Sequence, residues 1–414
     1  MKLNFVIIFL LSLSSFIYSQ SSSPYTRYGI GDLKYSFSAR QQGMGQLGVS
    51  LLDKAHISTT NPASWADFNR TRIEFGLTYN GVSISDNNSN YYTAETEIEG
   101  FTFGFPVSSD YGIGIAAGLI PYSRISYKAI QDYQSTDTLI SDYSITYEGK
   151  GGLSKLFIGS SVRVPFGFSF GATLDYYFGN LNYLSTLTFK NEDNYTAEYS
   201  LSYRPTGFGT TAGFISSNLN EILKAEFLSD IKLGASINYI SKLDTDTILT
   251  TTSSILVDTI AQSRTRIEIP LRINLGLSFI IGKNYLVTID YSSQNFNNFK
   301  IAGNNINELR DGFKFSTGFE FIPTQQLGMT FWERVNWRFG LSYEKTPYYF
   351  RNTGIDQYSI YSGLTFPLGS DNSIDMALQY SLRGTTENNL LKENFIKLNL
   401  GISFGELWFL RYEK

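Results

Sequence analysis

His56 is the single histidine of the chain, so a catalytic dyad or a multi-histidine metal centre would have to be built around one position. No G-x-S-x-G elbow accompanies it, which leaves a hydrolase without its nucleophile turn. Gly43, Gly45 and Gly48 spell G-x-G-x-x-G, the spacing by which a glycine turn lets backbone approach a pyrophosphate at the start of a helix. Here the spacing follows Arg40, Gln41 and Gln42 instead of a buried strand, and no alternation of strands and helices comes after it. A close-packed turn is therefore the reading these glycines favour. Asp290 and Glu320 stand at alternate positions of apolar segments and read as carboxylates of a lumen or a loop. With no cysteine, thiolate chemistry, disulfides and lipoprotein acylation are excluded, and neither enzyme activity nor a metal or other cofactor is expected. A net charge of −4 gives no electrostatic footprint for nucleic acid.

The elements that position these residues begin with a leader. Lys2 precedes an apolar run from Phe5 to Leu13 that is too short to span a bilayer, and Tyr18, Ser19 and Gln20 offer a cleavage point. Residues 1–19 thus read as a signal peptide. Charged or polar residues break every later hydrophobic run, so no segment suits a membrane-spanning helix. Aromatic residues reach 16% while hydrophobic residues in total are only 42%, as expected where one strand face meets lipid and the other meets water.

From residue 71 the chain alternates with period 2, which sends successive side chains to opposite faces of a sheet. Ile267, Ile269, Leu271, Ile273, Leu275, Leu277 and Phe279 alternate with Glu268, Pro270, Arg272, Asn274, Gly276 and Ser278. Ile231 to Tyr239 and Ile396 to Phe404 repeat the pattern. Counting such segments predicts about fourteen antiparallel strands at 71–84, 95–107, 111–128, 142–164, 167–189, 194–216, 229–248, 264–281, 284–299, 311–322, 335–346, 356–368, 372–383 and 393–405. Connections alternate between tight turns, as at Gly282 and Lys283 or Gly369 to Asp371, and longer polar loops, as at Ala129 to Ser141 and Thr385 to Lys392. Asn220 to Leu228 and Pro323 to Arg334 are longer than the tight class and are expected to form short helices on the periplasmic side. The competing soluble β-sandwich would need two or three domains, and no linker or change in composition divides residues 71–405.

Residues 20–70 differ in kind, with Gly and Asn-Pro punctuation and no sustained alternation. They precede the first strand, and a fourteen-stranded lumen leaks unless filled, so they are expected to plug it as a hatch. The alternative is a periplasmic tail, but Leu47, Val49, Leu51, Leu52, Ile57 and Trp65 are apolar residues that a solvated tail does not need. The division is then 1–19 signal peptide, 20–70 hatch, 71–405 transmembrane barrel and 406–414 a short C-terminal tail, in an outer-membrane protein of a Gram-negative bacterium.

The run Gly43, Met44, Gly45, Gln46, Leu47, Gly48, Val49, followed by Ile57, Ser58, Asn61, Pro62 and Ala63, resembles the hatch of the FadL/TodX family of outer-membrane transporters for hydrophobic compounds. Tyr25, Thr26, Arg27, Tyr28 and Gly29, with Gly151 to Ser154 and Tyr177 to Gly179, look like the Bacteroidetes branch of that family. The transporters of the family end in an aromatic residue, whereas this chain continues past Phe404 and Phe409 to Lys414.

The resemblance implies transport of long-chain fatty-acid-like molecules through a plugged barrel with a lateral exit. It also implies a hatch gated at Gly43, Gly45, Gly48, Asn61, Pro62 and Ala63. Of these, Pro62 holds one fixed backbone angle and Asn61 tolerates turn geometry. The implied partners are a hydrophobic ligand, outer-membrane lipid and lipopolysaccharide. A second expectation is a non-transporting accessory barrel that binds other outer-membrane proteins in a secretion or assembly complex, and a third is a simple diffusion pore.

Overall fold

A computed structural model describes residues 23–134, 142–189, 196–253, 257–323, 330–368 and 372–407. The signal peptide, the turn Gly369 to Asp371, part of the Ala129 to Ser141 loop and residues 408–414 of the tail lie outside the described residues. Fourteen staves form the wall. A two-residue strand precedes them, β1 (Asp32–Leu33). In chain order the staves are β2 (Thr71–Ser85), β3 (Asn90–Ser108), β4 (Ile113–Pro121) with β5 (Ser123–Tyr133), β6 (Tyr143–Arg163), β7 (Ser169–Phe189), β8 (Thr196–Ile215), and β9 (Leu228–Ile240) with β10 (Leu243–Ser253). They continue as β11 (Val257–Glu268) with β12 (Arg272–Ile281), β13 (Tyr285–Gln294), β16 (Gly312–Phe321), β17 (Asn336–Phe350), β18 (Thr353–Leu368), β19 (Asn372–Gly384) and β20 (Lys392–Glu406). A small hairpin, β14 (Lys300–Ile301) and β15 (Asn304–Asn305), lies between β13 and β16.

Closure comes from β2 and β20, which pair antiparallel from Thr71↔Glu406 to Ser85↔Lys392. This leaves no free edge at the ends of the sheet, the condition for backbone to cross hydrocarbon with its polar groups satisfied. The lower halves of the staves turn Phe75, Leu119, Leu156, Leu174, Ile237, Leu275, Leu341, Leu378 and Phe404 outward, while Asn274, Asp290, Lys314, Glu320, Arg338 and Asp375 are buried inside. Asp290 and Glu320 are thus lumenal. Above this apolar belt the staves carry polar side chains outward, including Asp244, Arg264 and Arg266. The barrel therefore projects beyond the lipid on the side of the long loops.

The alternation between Ile267 and Phe279 is interrupted, contrary to the expectation of one greasy face. Ile267 and Ile269 are buried in the lumen, whereas Leu271, Ile273 and Leu275 on the same parity face outward. The ladder breaks at Pro270, which has no N–H to donate, and the phase slips across the gap between β11 and β12. Two other staves break, the third at Tyr122 and the seventh between Ile240 and Leu243. The ninth stave ends at Gln294, short of 299, because Phe296–Asn298 curls into a 3-10 turn. Of the two longer connections, the first forms a one-turn helix at Asn220–Leu223 and the second a 3-10 turn at Trp332–Arg334.

One seam of the wall is incomplete. The ladder between β3 and β4 runs from Ser108↔Ile113 up to Phe101↔Leu119 and ends there. Above it β5 pairs with β6, and among the described residues no ladder joins β5 to Asn90–Gly100 of β3. The cause is local: Gly100 adopts φ 126°, and Pro121 and Tyr122 interrupt the third stave. Inward of this seam, Tyr25, Ile125, Leu153, Tyr177, Leu243, Ile267, Phe299 and Tyr348 belong to one apolar cluster that fills the upper lumen.

Candidate functional site, the hatch and the wall it seals

Residues 23–70 lie within the barrel and touch most of its circumference. Their close approach depends on a belt of wall glycines whose missing side chains make room. Gly234 is paired with Gly276, Gly318 with Gly340 and Gly76 with Gly401 across neighbouring staves. A Cβ at Gly340 would stand 2.6 Å from the Gly45 nitrogen, one at Gly318 2.6 Å from the Met44 oxygen, and one at Gly234 2.5 Å from the Val49 oxygen. Gly171 and Gly213 make the same room for Pro62 and Asn61. Backbone lies against backbone around the ring, a contact that side chains of ordinary size would hold several ångströms apart.

The six residues singled out from the sequence all sit at this interface. Asn61 caps a 3-10 turn at Pro62–Asp67, with its Oδ1 accepting from the Ala63 amide at 3.0 Å. Its Nδ2 donates to Val49 O at 2.7 Å and to the wall carbonyls of Phe214 at 3.1 Å and Ala235 at 3.4 Å. One side chain thus ties two hatch segments to β8 and β9. Gly43 ends a single helical turn, Ala39–Gln42, and lies against Gly363. Gly45 and Gly48 adopt φ of 86° and 62°, a left-handed conformation that glycine enters without a Cβ clash. The turn is close-packed, and its amides meet a side chain of the wall, the Asp290 carboxyl. Gly48 and Val49 donate their amides to Asp290 at 3.0 and 2.9 Å.

Beside this seat lies a charged latch that motif reading did not reveal. His56 Nδ1 is 3.0 Å from Asp53 and its Nε2 is 2.9 Å from Asp375 of β19. Carboxylates only accept, so both ring nitrogens donate and the imidazole is cationic. Arg40 binds Asp53 and Glu320 of β16, and Arg338 of β17 donates to Glu320 at 2.7 Å and to Asp375 at 3.2 Å. Burial opposes the charge on His56, yet Asp53 and Asp375 outweigh it and raise its pKa to about 10. Asp53 is held well below the usual carboxylate range because Arg40 and His56 overcome the effect of its burial.

This has a pH consequence. His56 gains a proton more readily in the folded hatch than in an unfolded chain, where it titrates near 6.5. Its contribution is complete below about pH 6.5 and is lost as pH rises through about 10. Protease cleavage within the hatch will accelerate from pH 7 to 10.5, and in His56→Gln this pH-dependent increment will be missing. Equal increments in both proteins would contradict the latch.

The upper hatch closes the incomplete seam. Asp32 and Leu33 pair with Arg124 and Ser123 of β5, and the amides of Ser23 and Lys34 donate to Ser126 and Tyr122, each at 3.0 Å. Lys34 then reaches across to Glu99 at 2.8 Å and Glu97 at 3.2 Å on β3. The same segment forms the floor of an outward-opening pocket of about 560 Å³, where Tyr25, Arg27 and Tyr28 meet Tyr127, Tyr147 and Phe350. Rings of Tyr25 and Phe350 stack at 5.4 Å.

The family model for BamG matches residues 1–413. The chain belongs to the BamG family. No curated protein matches it. Among solved structures, this BamG-family chain is similar to a Pseudomonas aeruginosa FadL homologue at 12% identity and TM-score 0.64, over 90% of this chain and 99% of that one. It is similar to the Pseudomonas putida toluene transporter TodX at 15% identity and TM-score 0.58, over 92% and 100%. For the Ralstonia pickettii toluene transporter TbuX the values are 13% and 0.56, over 90% and 99%. At these identities the likeness carries the fold, a closed fourteen-stranded barrel of FadL type. The BamG-family barrel is an outer-membrane protein.

Proposed function

We propose that this barrel passes hydrophobic small molecules of the long-chain fatty-acid type from the outer pocket into the membrane, through a lateral exit between β3 and β5. One observation carries the reading: Ser23–Lys34 is both the floor of the aromatic pocket and the closure of the seam. A ligand that displaces this segment opens the wall beside it. Apolar cargo gains about 25 cal/mol per Å² on leaving water, so a sideways exit into hydrocarbon is downhill and avoids the polar lower lumen. Solved structures of the same fold include toluene transporters, which supports hydrophobic small molecules as the cargo. Asn61, Pro62 and Ala63 act as the fixed base against which the upper hatch moves, and Gly43, Gly45 and Gly48 as its seat. His56 serves as an anchor, since both ring nitrogens are committed to carboxylates.

A second reading, an accessory barrel in an outer-membrane secretion or assembly complex, is favoured by the periplasmic rim. Phe166, Ile222 and Phe227 are 89%, 78% and 82% exposed on turns beyond the ends of the staves. Exposed apolar groups clustered on protruding turns suit a protein partner. A deletion strain separates the two. Loss of labelled long-chain fatty-acid uptake to background supports transport, whereas normal uptake with loss of a co-purifying membrane complex overturns it in favour of the partner role.

A further inference from the structure

A second internal cavity, of about 40 Å³, lies between the hatch and the wall at the height where the third stave breaks. Three cationic side chains line it, Lys34, Lys155 and Arg272, and no carboxylate does. Lys34 is compensated by Glu97 and Glu99, and Lys155 stands 3.7 Å from Asp175, itself bonded by Thr173, Thr211 and Tyr177. Arg272 is different. It is buried, its Nε donates to Gln294 at 3.2 Å, and the rings of Tyr122 and Tyr35 lie 4.7 and 5.4 Å from its guanidinium carbon. No acidic group pairs with it among the described residues, and its Nη2 has no partner. Arg40, Arg338 and Arg383, also buried in the lumen, each hold two carboxylates.

An uncompensated guanidinium in a dry interior is costly, so something of opposite charge belongs beside it. The Tyr122 hydroxyl is a second buried donor without a partner, and Asn238 Oδ1 and Asn274 Oδ1 are buried acceptors without one; all four residues line the same cavity. We propose that this cavity holds one monovalent anion of chloride size, bound by Arg272 Nη2 and the Tyr122 hydroxyl, with a water beside it donating to Asn238 and Asn274. A water occupies roughly 10–15 Å³ of such probe-centre space, so the volume suits an ion with a companion water and excludes an acyl chain. Because Tyr122 marks the break in the stave and Lys34 belongs to the segment that closes the seam, the anion neutralises the point at which hatch and wall meet.

The test uses the full chain in detergent with bromide replacing chloride. An anomalous scattering peak in contact with Arg272 and Tyr122 is expected, together with a higher unfolding temperature of the wild type in chloride than in gluconate at equal ionic strength. In Arg272→Gln both the peak and the salt difference will vanish. Density that fits water alone, a peak without any difference between the two salts, or a salt difference unchanged in Arg272→Gln would each overturn the site. The bromide measurement needs only the wild type, so failure of the variant to fold leaves a decisive result.

Discussion

A disulfide between Leu33→Cys and Ser123→Cys will reduce passage of apolar solutes to background, and a reducing agent will restore it. These positions are directly paired between β1 and β5, so their Cα atoms stand about 4.5–5.5 Å apart, within the range a disulfide spans without distortion. The chain has no cysteine to compete. The cross-link adds a covalent bond where two paired residues already close the seam, and leaves the lower hatch and its glycine seat untouched. Folding is therefore unaffected, and the measured loss belongs to movement of the upper hatch. Uptake of a labelled fatty acid is measured in oxidised and reduced cells expressing the double variant. Equal uptake in both states would show that Ser23–Lys34 stays in place during transport and would remove the lateral exit.

Replacing Arg338 by Met will loosen the hatch by about 3–5 kcal/mol, the cost of removing one partner from a buried ion pair. Arg338 bridges Glu320 and Asp375, and those two carboxylates also receive Arg40 and His56 from the hatch. Without it, Glu320 of β16 and Asp375 of β19 keep only the hatch cations Arg40 and His56 to balance them. The wall ladder itself depends on backbone pairing, so the barrel will still form and the hatch will be the part that yields. Limited proteolysis of the hatch and urea midpoints give the size of the effect. If Arg338→Met leaves both the proteolysis rate and the urea midpoint unchanged, the cluster is not an ion-pair latch.

The barrel was legible in the chain because a closed sheet between lipid and water writes itself as alternation, a local property that each stave carries by itself. Ile273, Leu275 and Leu277 announce their face without reference to any other stave. The hatch was legible by contrast, as the stretch where alternation stops. Where a local rule was broken, at Pro270 or Tyr122, the sequence showed the residue but not the consequence. Whether a proline shifts the phase of a stave or only ends it depends on the strands beside it.

The functional groups were a different matter. His56 read as an isolated histidine, yet its two partners lie at Asp53, three residues away, and at Asp375, on the far side of the chain. The G-x-G-x-x-G spacing read as a close-packed turn, while the carboxyl that its amides meet, Asp290, lies 242 residues away. The wall glycines looked like ordinary members of the polar face, and only the packing of Asn61 and Met44 against them shows that absence of a side chain is what the fold requires there. Alternation, composition and the hatch motif were determined by the sequence itself, because they act within a few residues. The latch, the seat and the seam were decided only by the tertiary structure, because closing the cylinder is what brings their distant halves within bonding distance.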